Sequence, residues 1–599
     1  MKKRLALALC FALLLPCLTL LASCGTGNDG TYTITFSING EKTKVEVPRG
    51  ELPVCPEELL SWETSEHFYK VTGWDKEIVP AKRNATYTAK IGEYGLTVYS
   101  VRFVMPSGVV IVKAHEGEIP TPPEGYETDL TRVAEIGTFA GWDTELVAPT
   151  AENMANGKKM IYTARYTYAT RYYTAAFQIG DEEYTVRVAA YETPVCPVSP
   201  PGKYTDASGT VLSFFGWDKR IAPATNDAIY TAWYGSAGDV SVLSAKDGAQ
   251  AILTMTYDRN TTNPNETKWI LSMNEKYGLK GSCMLIPGRL NGDLVSGWKT
   301  NFANGSLEPG NLGMEHKSER IETTQAIYQN EIVESKDLIE KYFPGTSLVC
   351  FASPYAKLCD FSYKANPNGT PDKTQKIYDG GSKAIARETY FAIRNGDNGL
   401  NTLDPACTEE TGGWYNLAVH WFYNAANGQT DAERTGWIDD AVENGGWLLI
   451  LAHDFNGSDD YLSITKREGE AFFAHASTYI KSGKLWSATF GEATKYLREK
   501  QGATVAKRYE GDAVVVGLKL NRTTSDGKYM DEGVFNYPLS VEVRVPDDWT
   551  IARYTVNGAN KYLNAYTRTE NGITAKYVTV NIVPGDDGAV ASVTVFRAK

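Results

Sequence analysis

The chain has 599 residues, more than one hydrophobic core can serve, so several domains are expected. Apolar residues make up 42% and charged residues 22%, the make-up of folded globular material, which excludes a disordered or fibrous chain. A net charge of −12, with no basic block beyond the first residues, excludes a nucleic-acid partner, because phosphate binding needs a positive footprint.

The chain begins with "MKKR" and then "LALALCFALLLPCLTLLASC", a cationic stretch followed by an apolar one. This is the pattern of a secretory signal peptide, residues 1–23. Its end, Leu21-Ala22-Ser23-Cys24, resembles the bacterial lipoprotein cleavage box. The resemblance implies that Cys24 is lipidated and becomes the first mature residue, with 24–30 as a flexible tether. Each buried acyl methylene stabilises attachment by ~0.8 kcal/mol, so a multiply acylated cysteine anchors durably. The implied location is extracytoplasmic, on the bacterial surface or the periplasmic face of a membrane. The competing reading is an ordinary signal peptide with a chance cysteine. Six cysteines follow: Cys55, Cys196, Cys283, Cys350, Cys359 and Cys407, at spacings that match no zinc pattern. Cys350 and Cys359 are either a pair across a loop or separate buried thiols.

Residues 31–236 repeat themselves three times, over 31–95, 96–168 and 169–236. Each unit opens on alternating residues ("TYTITFSI", "YSVRFVM", "YTAAFQI") and continues through a Pro-rich turn ("LPVCPEE", "IPTPPEG", "TPVCPVS"). Each closes on Gly-Trp-Asp and a final strand: Gly73-Trp74-Asp75, Gly141-Trp142-Asp143 and Gly216-Trp217-Asp218. Alternation with Gly and Pro punctuation predicts small β-domains. The pattern resembles the Listeria–Bacteroides repeat of bacterial surface proteins, which implies a β-grasp-like module. The recurring tryptophans are either a sugar-stacking face or core plugs; recurrence at one internal position favours the plug.

From 245 to 502 short apolar runs alternate with amphipathic stretches. "AQAILTMTY", "KGSCMLI", "SLVCFASPY" and "WLLILAHDF" read as buried strands. "TKWILSMNEKYGL", "TTQAIYQNEIVESKDLIEKYF", "TGWIDDAVENGG" and "REGEAFFAHASTYIKSG" read as helices. Alternating β and α predicts a parallel barrel whose chemistry lies where strands end, and Asp258 and His453 both stand at such ends. Residues 505–599 alternate again ("LSVEVRVP", "YVTVNIVP", "ASVTVFRAK") and predict a β-sandwich.

The central stretch resembles the polysaccharide deacetylase (NodB homology) family, metal-dependent hydrolases of sugar acetyl groups with an irregular (β/α) barrel. The matching residues run in the family's order. They are Thr256-Tyr257-Asp258-Arg259, then His316 with Arg320 four residues on, then Phe351-Ala352-Ser353-Pro354-Tyr355, then Leu451-Ala452-His453. "LWSATFGEATKYLREKQ" also resembles how one branch of the family ends its barrel. The resemblance implies Asp258 as catalytic base and His453 as general acid, the latter being equally readable as an inherited structural hydrogen bond. Pro354 and Leu451 are expected to line a sugar cleft, and Tyr355 and Trp414 either line it or belong to the core. His316 keeps one metal-ligand position, and Arg259 and Arg320 occupy the other two. Arginine is permanently protonated and has no electron pair to give. Two unit charges 4 Å apart repel by about 4 kcal/mol at an effective dielectric of 20, and a divalent ion roughly doubles that. His316 alone cannot hold zinc, which takes three or four protein ligands. Arg259 is therefore expected to replace the metal's charge and pair with a carboxylate such as Asp258. His420 is a candidate replacement ligand or a core histidine, and His475 a helix-packing residue.

The expected whole is a multidomain chain: three small β-grasp-like repeats, a central (β/α) barrel of deacetylase type and a C-terminal β-sandwich. Its expected cofactor is none or a divalent metal, zinc foremost, and its expected partners are an acetylated glycan and, through the lipid, a membrane. Two functions stay open: a degenerate deacetylase that binds glycans, or an active metal-dependent deacetylase with replacement ligands.

Overall fold

The computed structural model describes residues 30–598 apart from 207–208, 259–263, 265–266, 318–324, 357, 369, 378–380, 424–427, 457–461 and 571. Contacts divide the chain into two units, Met1–Arg171 and Tyr172–Lys599. Cys24, Arg259 and Arg320 lie outside the described residues.

In the first unit, Thr31–Ile38 and Glu41–Pro48 form a hairpin whose turn, Asn39-Gly40, has φ 48° and 87°. A two-residue turn with positive φ at both positions matches the strands' twist, which is why Gly stands there. Thr31–Ile38 then pairs in parallel with Ala85–Met105, Ile34 against Ala85. That strand is 21 residues long and does double duty. Its first part closes one sequence repeat against His67–Trp74, and its second opens the next against Gly108–Glu116. It also pairs in parallel with Met160–Thr170, Val101 against Met160. The 95/96 boundary read from sequence thus falls inside one continuous strand.

The second unit opens with the same build: a hairpin of Tyr172–Ile179 with Glu182–Ala189, and a parallel partner in Ala228–Gly235. The Gly-Trp-Asp anchors do identical work in all three repeats. At each, the strand register shifts by one residue across the glycine, and Gly141 and Gly216 have φ of 120° and 155°. The kink turns the indole onto the phenylalanine of the opening strand: Trp74 on Phe36 (4.8 Å), Trp142 on Phe103 (4.8 Å), Trp217 on Phe177 (5.2 Å). The aspartate then exchanges bonds with the closing strand. Asp75, Asp143 and Asp218 each accept from the backbone N–H of Thr88, Thr163 and Thr231 through Oδ1, at 2.8, 2.8 and 2.7 Å. The tryptophans plug cores, the second of the two sequence readings.

The central region builds parallel strands β1 (Ala251–Tyr257), β2 (Gly281–Leu285), β3 (Leu307–Asn311), β4 (Cys350–Ala352), β5 (Ala392–Arg394), β6 (His420–Trp421), β7 (Trp447–Ala452) and β8 (Leu485–Ser487). All seven residues of β1 are buried, which explains why this strand reads as an unbroken apolar run rather than an alternation. Hydrogen bonds order the sheet β3-β2-β1-β7-β6, with β8 pairing the first half of β1. Residues 417–421 bond to β5 at one end and to β7 at the other. β4 pairs with β5, and β3 and β4 touch without ladder bonds. The arc is thus a barrel closed by hydrogen bonds everywhere except between β3 and β4. Helices α1 (Thr267–Tyr277), α2 (Gly292–Phe302), α3 (Gln325–Gln329, continued by a π-turn at Asn330–Glu334 and by Ser335–Tyr342), α4 (Gly381–Thr389), α5 (Asp431–Asn444), α6 (Lys466–Lys481) and α7 (Phe490–Gly502) alternate with the strands. Helices α5, α6 and α7 each start at a reciprocal cap, Thr430 with Glu433, Thr465 with Glu468 and Thr489 with Glu492.

The remaining residues form two antiparallel sheets. One contains Ala503–Glu510, Ala513–Leu520, Val590–Arg597, Ile551–Val556 and Ala559–Asn564. The other contains Leu539–Val545, Ile573–Ile582 and Tyr566–Glu570, and it recruits Val240–Val242 from ahead of the barrel. All six described cysteines are free thiols, so Cys350 and Cys359 stay apart; Cys350 Sγ instead donates to Thr494 Oγ1 at 3.1 Å.

Glu499 ties α7 to this C-terminal region. It is fully buried and accepts from the Tyr537 N–H at 3.1 and 3.2 Å. Burial pushes its carboxyl up from 4.5 to about 8. Between those two values the folded chain holds a proton that the unfolded chain has released, so stability falls as pH rises and levels off above the upper one. Glu499→Gln, which carries that proton permanently as an amide, is expected to flatten this slope in thermal unfolding followed from pH 5 to 8.

Candidate functional site

Parallel strands deliver their C-terminal ends to one side, so the loops after β1, β3, β4, β5 and β7 meet there. Asp258 directly follows β1, and its N–H extends the ladder by donating to the Ala452 carbonyl at 2.9 Å. Tyr257 faces Ala452 in register, so Asp258 and His453 leave neighbouring strands side by side. The base and acid positions implied by sequence are therefore adjacent.

Asp258 is 7% exposed, and its charge is met by Arg394, the last residue of β5. Arg394 Nη2 donates to Asp258 Oδ1 at 2.6 Å, and its side chain is 1% exposed. Among the described residues the cation on Asp258 is Arg394, 136 positions away; Arg259, the partner expected from sequence, lies outside them. Arg394 also fixes the segment after β4. Its carbonyl accepts from the Ser353 N–H at 3.1 Å, while Ser353 Oγ donates to Asn395 Oδ1 at 2.6 Å.

His316 sits on the loop after β3 with φ 58°, a left-handed conformation that non-glycine residues seldom adopt. Its ring lies 4.6 Å from that of Tyr355, which with Ala356 is also left-handed at φ 52° and 59°. Glu331, in the π-turn of α3 and fully buried, holds this loop from beneath. Its carboxylate accepts from the N–H of Glu315 at 3.2 Å and of Lys317 at 3.3 Å, the residues on either side of His316. Burial raises the Glu331 carboxyl despite those two bonds. Gly313, at φ 87°, leaves room for this grip, since a Cβ there would lie 2.8 Å from Glu331 Oε2 and 3.1 Å from Pro354 Cγ. Arg394 and Glu331 carried no sequence signal; both stand at element ends that only the topology brings to this face.

Other expectations change. Tyr355 is 65% exposed and open to a ligand, while Pro354 is buried against Gly313. Leu451 is 3% exposed and belongs to the barrel core. Trp414 is fully buried; its Nε1 donates to Gln501 Oε1 at 3.1 Å and the Arg498 guanidinium lies 4.1 Å from its ring. It packs on Trp447 at the first residue of β7, the end opposite the site, so it lines no cleft. His420 stacks on Trp437 of α5 at 4.5 Å, and burial lowers its pKa, so it serves packing rather than ligation. His475 bonds Asp439 Oδ1 at 2.7 Å and joins α6 to α5, as its helical setting suggested.

No protein-family model matches this chain. A gellan lyase from a Bacillus species is 24% identical over 347 residues, 56% of this chain and 12% of that protein. This chain therefore spans only a small part of that relative's length. Among solved structures it is similar to the Xyl-CE4 domain of a multidomain xylanase from the hindgut metagenome of Trinervitermes trinervoides. That likeness has 15% identity, 42% of this chain, 91% of that one and a TM-score of 0.25. It is also similar to a family 4 acetyl xylan esterase from Clostridium thermocellum, with 16% identity, 40% and 89% coverage and a TM-score of 0.24. A third similar structure is a CE4 family pseudoenzyme from Bacillus anthracis, with 12% identity, 41% and 65% coverage and a TM-score of 0.24. These scores are low, and the fold described here rests on strand order and register.

The described donors at the strand ends do not fit the divalent metal that the sequence resemblance implies. Asp258 is committed to a guanidinium, His316 faces a tyrosine ring, and among the described residues no three His, Cys, Asp or Glu side chains converge. Zinc needs such a set.

Arg394→Met would leave Asp258 as a buried carboxylate without its cation, a change that costs about 3–5 kcal/mol. Adding Asp258→Asn is expected to recover most of that loss. A double-mutant cycle on unfolding in urea, read by tryptophan fluorescence, measures it, and simple additivity of the two effects would mean that the pair does not interact.

Proposed function

We propose that this chain is a lipid-anchored, extracytoplasmic glycan-binding protein whose central domain is a polysaccharide-deacetylase-type barrel with a degenerate metal site. The observation that carries this reading is the buried Asp258–Arg394 pair. With Oδ1 taken up by a guanidinium at 2.6 Å, the carboxylate is committed to a buried ion pair rather than left open to a water or a metal. The same end of the barrel keeps Tyr355 exposed beside His316, an aromatic face suited to a sugar ring. Similarity to carbohydrate-acting proteins, a pseudoenzyme among them, agrees with a glycan ligand. Cys24 would carry the lipid and the repeats would hold the barrel away from the membrane.

A second reading is a working deacetylase. It is favoured by Asp258 and His453 leaving neighbouring strands in register, the arrangement that a base and an acid need. Acetate release from acetylated chitooligosaccharide and from an aryl acetate, with and without chelator, separates the two. The glycan-binding reading expects no chelator-sensitive release, no stoichiometric zinc uptake, and about tenfold weaker glycan retention for Tyr355→Ala. Release abolished by chelator and restored by zinc would establish the enzyme instead.

A further inference from the structure

A second opening, lined by none of the strand-end residues, lies on the seam between the third repeat and the C-terminal sheets. The two are spliced through the backbone. Ser236 N–H donates to the Lys507 carbonyl at 2.7 Å and Lys507 N–H returns a bond to Ser236 at 2.8 Å. Arg508 lies over the Trp233 ring at 4.6 Å, and a Cβ at Gly517 would meet that indole at 2.7 Å. The seam is therefore rigid and its surface preformed.

Two hollows of about 680 and 340 Å³ open along it and share Leu212, Arg508 and Tyr509. Both fall in the range of small-ligand clefts, ~300–1,000 Å³. Tyr509 stands between them, 44% exposed, with Lys507 Nζ 5.3 Å from its ring centre and the rest of the ring open to stacking. Tyr204 and Tyr234 line the larger hollow, their rings 5.3 Å apart. Tyr234 is 5% exposed, and its hydroxyl is buried with no hydrogen-bond partner among the described residues. Native structures seldom leave such a group unpaired, so it marks a place where a partner is missing.

The charges select the ligand. Arg508 is already paired with Glu510 at 2.6 Å, and Lys507 and Arg544 share Asp239 at 3.5 and 3.6 Å. An anion would have to break these pairs, whereas hydroxyl groups can bond to their free edges and to Asp181. Tyrosine rings with hydrogen-bonding neighbours suit a molecule that has both apolar C–H faces and many hydroxyls. From this geometry we infer that the seam is a second carbohydrate site, which takes a neutral oligosaccharide across Tyr509 independently of the barrel cleft.

The test uses the full chain carrying Tyr355→Ala, so that the barrel cleft does not contribute. Cellohexaose, xylohexaose, chitohexaose and an oligogalacturonide are titrated by calorimetry. At least one neutral oligomer is expected to bind and to outcompete the charged one. Adding Tyr509→Ala is expected to weaken binding at least tenfold. Adding Tyr234→Phe, which removes the unpaired hydroxyl and keeps the ring, is expected to weaken binding several-fold with an unchanged or higher melting temperature. The inference is overturned if no neutral oligomer binds, if the oligogalacturonide binds best, or if Tyr234→Phe binds as its parent does. Failure here leaves the barrel reading intact, because that reading stands or falls on Asp258 and Tyr355.

Discussion

The pairing of Asp258 with Arg394 is the constraint around which the barrel's open end is arranged. An isolated carboxylate cannot be taken out of water without a large penalty, so a buried aspartate needs a partner wherever the chain can supply one. The partner here comes from β5, and it brings β5 with it. Arg394's carbonyl receives Ser353, Asn395 receives the Ser353 hydroxyl, and the segment leading to Pro354 and Tyr355 is fixed in turn. One ion pair thereby sets the positions of three strand ends.

A second buried acid supports the opposite rim. Glu331 spends its carboxylate on the backbone around His316 rather than on a cation, and Gly313 is left without a side chain so that it can reach. The loop it holds carries one left-handed residue and faces a segment that carries two more, His316 against Tyr355 and Ala356. Strain of this kind persists only where surrounding contacts over-determine the backbone, and it clusters at ligand sites. The rim is thus rigid and exposed at once, a combination that suits holding a ligand.

The β modules obey a simpler rule. Each repeat is too small to build a broad core, so one indole on one phenylalanine does most of the filling, and one aspartate seals the last strand. In the first unit two repeats share a single strand, which joins their sheets end to end. The C-terminal sheets gain a strand from ahead of the barrel, so that region is stitched to both sides of the barrel in sequence.

Local pattern carried much of this in the sequence. The buried run of β1, the capped helices α5 to α7 and the three Gly-Trp-Asp anchors are legible because their causes lie within a few residues: period, cap and turn. Asp258 and His453 were legible as strand ends for the same reason. Leu451 was misplaced and Trp414 was left between two readings, because an aromatic or aliphatic side chain reads alike on a cleft wall and in a core, and only packing separates the two. Arg394 and Glu331 were invisible, since their roles depend on partners far along the chain. Sequence by itself settled which residue types are available at the strand ends. Tertiary structure alone decided which charge meets which, because an ion pair is a matter of distance in space, and the barrel's closure sets that distance.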